Sequence, residues 1–209
     1  MTKIKNFILK HVNFEFQFVT WIGILTALAI IPAIIFLPEK YGFENGIIEN
    51  LQLIVLFIGL FFAQKPKTNK QFFNFVAMVI GILIIREVNC GRTIFFAIPD
   101  TENAFYSWKE IKYGWLAHIL YGIYMAIVGI YFLKNKLFIT LWEKIRDIKL
   151  PFWNFILLIT GMALGTYAEE CVHNLVLEES TELLFYVALI GFVYLYSRNE
   201  NFITTNKNR

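Results

Sequence analysis

The sequence predicts an all-α, polytopic integral membrane protein, in which six transmembrane helices form one bundle and residues 1–209 make a single domain. Composition is the first reason, because 57% of the residues are hydrophobic and only 17% are charged, whereas about a quarter of a soluble domain is charged. The second reason is the length of the apolar segments, each close to the roughly 17–25 residues that span a bilayer. The third is the alternation of basic residues between the connections, which predicts that both termini are cytoplasmic.

The six predicted spans are separated by charged or proline-containing stretches. We place them at about residues 17–37, 46–63, 72–90, 114–133, 152–173 and 180–197. The first follows a basic N-terminus without a small-residue cleavage site, so it is interpreted as an uncleaved span rather than a signal peptide. We expect Pro32 to kink this span and Pro38 to end it, and Pro151 stands just before the fifth.

Basic residues divide unequally between the two sides of the membrane. Fourteen of the 19 lysines and arginines fall on one side, which the positive-inside rule identifies as the cytoplasm. They are Lys3, Lys5, Lys10, Lys65, Lys67, Lys70, Lys134, Lys136, Lys144, Arg146, Lys149, Arg198, Lys207 and Arg209. An even number of spans returns both termini to that side, and the bacterial cytoplasmic (inner) membrane is the expected location.

Acidic residues divide the opposite way. Twelve of the 16 fall on the outer side, although carboxylates contribute little to orientation. They are Glu39, Glu44, Glu49, Glu87, Asp100, Glu102, Glu110, Glu169, Glu170, Glu178, Glu179 and Glu182. Because topology does not require this excess, it indicates a polar site that faces outward.

Two of the connections between the predicted spans have distinctive sequences. Residues 137–150 are amphipathic, with apolar residues at helical spacing, and are expected to lie on the inner leaflet. Residues 91–113 form the longest outer loop and are rich in aromatic side chains. They are expected either to cover the mouth of the bundle or to form an aromatic belt at the headgroups.

Ionisable residues recur at one depth in the predicted spans. Glu49, His118 and Glu182 each lie 16 residues from the nearest cytoplasmic basic block, and Glu87 lies 17 from its own. At 1.5 Å rise per residue, each is about 24–26 Å along its helix. Glu170 and His173 end the fifth span at a similar level. Ionisable groups inside a membrane are costly and usually functional, so this layer is the candidate site.

Three members of the layer are candidate metal ligands. Glu170 and His173 form an E-x-x-H pair that would share one face of a helix. With His118 they would hold a divalent metal that keeps an open water position, and zinc is expected rather than iron because diiron bundles use two such pairs. The alternative is structural: a helix end hydrogen-bonded to its neighbours, with His118 bonded to a carboxylate.

The remaining members are candidate catalytic residues. Arg86 and Glu87 are adjacent, about 100° apart on a helix, so we do not expect them to pair and each needs another partner. Arg86 would bind Glu49 or Glu182, or an anionic group of a ligand. Two close carboxylates such as Glu49 and Glu182 can share a proton, which suits a general acid or base. Glu179 is expected to sit in water.

Two cysteines lie at outer helix ends. Cys90 and Cys171 would form a disulfide in an oxidising compartment, and thiolate ligation is a lesser alternative. The chain has no C-x-x-C sequence, which argues against thiol–disulfide relay chemistry.

Three function classes fit these features. The first is a metal-dependent hydrolase or transferase that acts on a lipid-like substrate at the outer leaflet. The second is a proton-coupled transporter or channel, and the third is a non-catalytic membrane subunit. Membrane lipids are the expected partners, and nucleic acid is excluded because no basic cluster with interleaved aromatics exists. The candidate catalytic residues are Glu49, Arg86, Glu87 and Glu182, and the candidate metal ligands are His118, Glu170 and His173.

Overall fold

A computed structural model describes residues 10–67, 69–101 and 103–198 of the chain. Most of these residues are helical, which confirms the all-α prediction. The helix over 137–147 is described without the side chains of residues 143–147. Several residues of the predicted charge pattern lie outside the described residues or side chains: Lys3, Lys5, Glu102, Lys144, Arg146, Lys207 and Arg209.

Eight α-helices follow one another along the described chain. They are α1 (Phe18–Phe36), α2 (Ile47–Gln64), α3 (Lys70–Glu87), α4 (Arg92–Phe95), α5 (Gly114–Lys134), α6 (Leu137–Asp147), α7 (Phe152–Tyr167) and α8 (Leu175–Arg198). Short 3-10 turns at Glu39–Gly42 and Asn89–Gly91 precede α2 and α4, and a π-helical turn at Ala168–Val172 follows α7. Two-residue strands β1 (Val12–Asn13) and β2 (Leu150–Pro151) pair in parallel.

Several helices are long and apolar enough to cross a membrane. Four spans, Phe18–Phe36, Glu39–Gln64, Gly114–Lys134 and Phe152–Val172, meet this condition on their own. Lys70–Glu87 with Asn89–Phe95 makes a fifth if the two helices, bent by 53°, count as one span. The chain is therefore a multi-pass membrane protein. Helix α8, which contains the sixth predicted segment, is not among these helices.

Helix α8 lies at the centre of the bundle. It packs mainly against α7, α2 and α1, and buried residues occur on several of its sides. Small residues allow this close approach, as in other membrane helix pairs. A Cβ at Gly161 of α7 would lie 2.7 Å from Phe185 N, and one at Gly59 of α2 would lie 2.3 Å from Ile190 Cδ1. The central position of α8 determines which side chains reach the site.

Helix α5 lies at the edge of the bundle. Its main contacts are with α3, α6 and the 3-10 turn before α4, and only Gly114 and Val128 are buried. The Tyr124 hydroxyl donates to Met78 O of α3 at 3.0 Å. Residues on α5 are therefore held next to α3 rather than next to α7 and α8.

Proline and glycine determine where several helices begin and end. As predicted, α1 ends before Pro38, and α7 begins directly after Pro151. Pro32 lies within α1, which continues as one helix. The break between α3 and α4 occurs where Cys90 and Gly91 adopt positive φ values of 53° and 88°. The amphipathic helix predicted over 137–150 is confirmed as α6.

Candidate functional site

Four polar side chains from α3 and α8 form a hydrogen-bonded group, which we call the arginine network: Arg86, Glu87, Glu182 and Tyr186. Arg86 Nη2 lies 3.1 Å from Glu182 Oε2 and donates to the Tyr186 hydroxyl at 3.0 Å. Arg86 Nε donates to Glu87 Oε1 at 3.0 Å. The Tyr186 hydroxyl in turn donates to Glu87 Oε1 at 2.5 Å. The hydroxyl thus links the guanidinium to the carboxylate.

The position of Arg86 in the last turn of α3 explains this arrangement. A cation there interacts favourably with the carboxyl end of the helix dipole, and the long side chain reaches both α8 and its own neighbour. The predicted contact between Arg86 and Glu182 is confirmed. The prediction that Arg86 and Glu87 do not pair is wrong, because Nη2 lies 2.9 Å from Glu87 Oε1. Both side chains turn towards Tyr186, so 100° of separation on the helix does not keep them apart.

A second polar contact joins α2 to α8. Gln52 is fully buried, and its Nε2 donates to Glu179 Oε2 at 2.8 Å and to Glu179 O at 2.9 Å. The prediction that Glu179 sits in water is wrong, since this side chain is partly buried against α2. Gln52 Oε1 is buried and has no hydrogen-bond partner within the described residues. One turn earlier on α2, Glu49 is 5% exposed and accepts a hydrogen bond from Asn45 N.

The two contacts belong to one electrostatic unit, the carboxylate cluster, which consists of Glu49, Glu87, Glu179 and Glu182. The charge of Glu49 is close enough to those of Glu87 and Glu182 to repel them, and Glu179 interacts in the same way with the other three. Among the ion pairs of the described chain, Arg86 is the cation that contacts this cluster. The guanidinium contacts two of the four carboxylates, Glu87 and Glu182, and leaves Glu49 and Glu179 without a cation among these ion pairs.

The aromatic loop over residues 91–113 is attached beside this cluster. Arg92 Nη2 lies 3.6 Å from Glu44 Oε2, and its guanidinium carbon lies 5.8 Å from the centre of the Phe105 ring. Asn103 Oδ1 accepts from Glu44 N at 3.0 Å. Glu44 precedes α2 by a few residues, so the loop is attached next to the end of α2 that carries Glu49.

The three predicted metal ligands are not brought together. His118 is exposed on α5, where its ring packs edge-on against Trp108 at 5.1 Å between centroids. Glu170 and His173 are exposed after α7, which packs on α8 and α1. In the described part of the chain, no group of three or more His, Cys, Asp or Glu residues can hold a metal ion.

The E-x-x-H pair also differs from its predicted geometry. Glu170 lies within the π-helical turn, and His173 follows it with a φ of 54° in the left-handed region. The prediction that Glu170 and His173 share one face of a regular helix is therefore wrong. Cys171, in the same turn, and Cys90, at the break between α3 and α4, are both free.

One residue of the arginine network was missed in the sequence. Tyr186 lies one helical turn after Glu182 inside an apolar segment, and a tyrosine hydroxyl there needs a hydrogen-bond partner. That spacing was the available signal, but it does not identify the partner. In comparisons with protein-family models, with curated proteins and with solved structures, nothing matched this chain.

Proposed function

We propose that this protein binds and releases protons at the carboxylate cluster and uses them in proton-coupled transport across the membrane. The observation that carries the proposal is the charge imbalance at the site, where four mutually repelling carboxylates are accompanied by one guanidinium that contacts two of them. Several uncompensated negative charges in a low-dielectric setting are costly. Protonation of some of the carboxyl groups removes this cost, and a site that holds protons in this way can also release them.

Six spans and cytoplasmic termini complete the proposal. Helix α8 would be the sixth span, surrounded by α1, α2 and α7 and therefore shielded from lipid. The basic connections would then lie in the cytoplasm of a bacterium, and the single domain over residues 1–209 would open its polar site to the outside. Arg86, with its side chain 55% exposed, would meet water first.

The arrangement offers separate places for a proton inside the site. The Glu182 side chain is 31% exposed, whereas the Glu87 side chain is 6% exposed, so Glu182 would be the entry point for a proton. The Tyr186 hydroxyl donates to Glu87 and accepts from Arg86, so it keeps the Glu87 carboxyl group connected to the guanidinium. Gln52 Oε1 offers a buried acceptor for the hydrogen of a neutral carboxyl group.

A hydrolase or transferase acting on a lipid-like substrate is the second candidate. It is favoured by the half-exposed guanidinium of Arg86 next to groups that can carry protons, because such a guanidinium can hold a phosphate or a carboxylate. Catalysis would then be acid–base chemistry by Glu87 or Glu182. A divalent metal held by His118, Glu170 and His173 has less support, because these residues lie on separate parts of the bundle.

Infrared difference spectroscopy on the full chain in lipid vesicles tests the proposal. We expect a protonated carboxyl band at neutral pH that shrinks as the pH rises, and we expect Glu49→Gln to reduce it. Glu39→Gln is the matched control, because Glu39 is an exposed carboxylate on the same side. No protonated carboxyl at neutral pH, or an equal loss in the control, would contradict the proposal. Retained helical circular dichroism shows that each variant folds.

A further inference from the structure

An apolar groove lies between α1, α2 and α8, away from the carboxylate cluster. It has a volume of about 230 Å³, and its walls include Ile22 on α1, Ile58 on α2 and Ile190 on α8. Phe62, near one end of the groove, is 13 residues from Glu49 along α2, or about 20 Å at 1.5 Å per residue. An apolar space of this kind in a bilayer is filled by apolar matter, because a void forfeits dispersion contacts.

The groove opens at its basic end into a polar mouth. The mouth is lined by Lys67 and Arg198, and it shares Phe18, Phe62 and Tyr194 with the groove. The apolar groove and the basic mouth are therefore continuous with each other.

Local contacts fix the backbone of Lys67 and the guanidinium of Arg198 at the mouth. Lys67 N donates to Ser197 O at 2.8 Å, which joins the connection after α2 to the last turn of α8. The guanidinium carbon of Arg198 lies 5.8 Å from the centre of the Phe62 ring. Neither cation forms an ion pair with a carboxylate of the described residues. Within the described residues, no carboxylate therefore competes with an external anion for these two cations.

We propose that this groove binds an anionic phospholipid, with an acyl chain between α1 and α2 and the phosphate between Lys67 and Arg198. Arginine and lysine are the usual ligands of phosphate, and basic pockets between membrane helices bind anionic headgroups. The groove supplies the apolar surface that an acyl chain needs, and the adjoining mouth supplies the two charges. The site does not depend on the function proposed for the carboxylate cluster.

Native mass spectrometry of the detergent-solubilised full chain, titrated with phosphatidylglycerol or phosphatidylcholine, tests the headgroup. We expect the wild type to prefer phosphatidylglycerol. The double variant Lys67→Gln/Arg198→Gln is expected to bind it about 30-fold more weakly, as estimated for two basic side chains near a membrane surface. The control Lys70→Gln/Lys134→Gln removes the same charge from the same side, outside the groove, and is expected to keep wild-type affinity.

A second pair of variants tests the acyl chain. Ile58→Trp narrows the groove, whereas Ile54→Trp adds the same bulk at an exposed position of α2 that does not line it. We expect only the first to weaken phosphatidylglycerol binding. Because both keep the basic mouth, this comparison decides the proposal even if the double charge variant fails to fold.

Three results would overturn the proposal. The first is equal affinity of the wild type for the two lipids. The second is an equal loss of phosphatidylglycerol affinity in a variant and in its control, which would mean that the loss comes from general surface charge or side-chain bulk. The third is displacement of the lipid by inorganic phosphate alone, which would assign the mouth to free phosphate.

Discussion

Replacing Tyr186 by phenylalanine tests the arginine network directly. Tyr186 is 1% exposed, and Tyr186→Phe removes one oxygen without opening a large cavity. The lost hydroxyl accepts from Arg86 at 3.0 Å and donates to Glu87 at 2.5 Å. Hydrogen bonds with charged groups contribute about 1.5–3 kcal/mol, but bonds between membrane helices average about 0.6 and reach about 1.7 kcal/mol. For the two bonds of the Tyr186 hydroxyl we expect the free energy of unfolding to fall by about 2 kcal/mol.

Thermal unfolding in detergent measures this loss. A chain of this size shifts its Tm by about 2–4 °C per kcal/mol, so Tyr186→Phe is expected to lower the Tm by roughly 4–8 °C. Tyr124→Phe is the control, because it removes a single bond to a carbonyl at the edge of the bundle, and about 0.6 kcal/mol is expected there. A double-mutant cycle with Glu87→Leu, which removes the acceptor of the tyrosine hydroxyl, isolates the coupling between the two side chains.

The reasoning would be refuted by two outcomes. One is a decrease in Tm for Tyr186→Phe that is no larger than the decrease for Tyr124→Phe. The other is a coupling energy with Glu87→Leu below about 0.5 kcal/mol, within which independent sites are additive. Either result would mean that the hydroxyl does not connect Arg86 to Glu87 in the folded protein.

Three further predictions concern other parts of the chain. Gln52→Leu leaves Glu179 Oε2 on α8 without its hydrogen-bond donor, so we expect the free energy of unfolding to fall by about 1–3 kcal/mol. An unchanged denaturation midpoint would contradict this. Gly161→Ala places a methyl group 2.7 Å from the α8 backbone and is expected to cost about 1–3 kcal/mol, whereas Gly122→Ala, with nothing within 4 Å, is expected to be neutral or stabilising in the same unfolding experiment. The hydrogen bonds from Ser107 lower the pKa of the Glu110 carboxyl below its ordinary 4.5. The stabilising contribution of Glu110 is therefore present above pH 4.5 and is lost as the pH falls through the lowered pKa. An NMR titration that places this pKa at or above 4.5 would contradict the assignment.

The fold class follows from local properties of the sequence. Hydropathy and segment length depend only on nearby residues, and for this reason the positions of α1, α2 and α5 and the start of α7 were predictable within a few residues. Pro38 and Pro151 were reliable boundary signals, because proline lacks the N–H that would continue a helix. The π-helical turn after α7 was not predictable from the E-x-x-H spacing, which assumes a regular helix.

The candidate site was predictable only in part. Glu49, Glu87 and Glu182 were identified by their depth in apolar segments and Arg86 as the neighbour of Glu87, and the structure joins Arg86, Glu87 and Glu182 in one network. Their depth could not distinguish them from His118, which lies at the same level but on a helix at the edge of the bundle. Depth is a coordinate along one helix, whereas a site also requires that the helices be neighbours.

The sequence by itself determined that this chain is a multi-pass helical membrane protein with ionisable groups at one level. The tertiary structure decided which of those groups meet. Placing α8 between α1, α2 and α7 joined Glu179 to Gln52 and Tyr186 to Arg86, and it left His118 apart from Glu170. The physical reason is that hydrophobicity acts on each segment separately. Contacts between segments depend instead on where small residues allow close packing and where each helix ends.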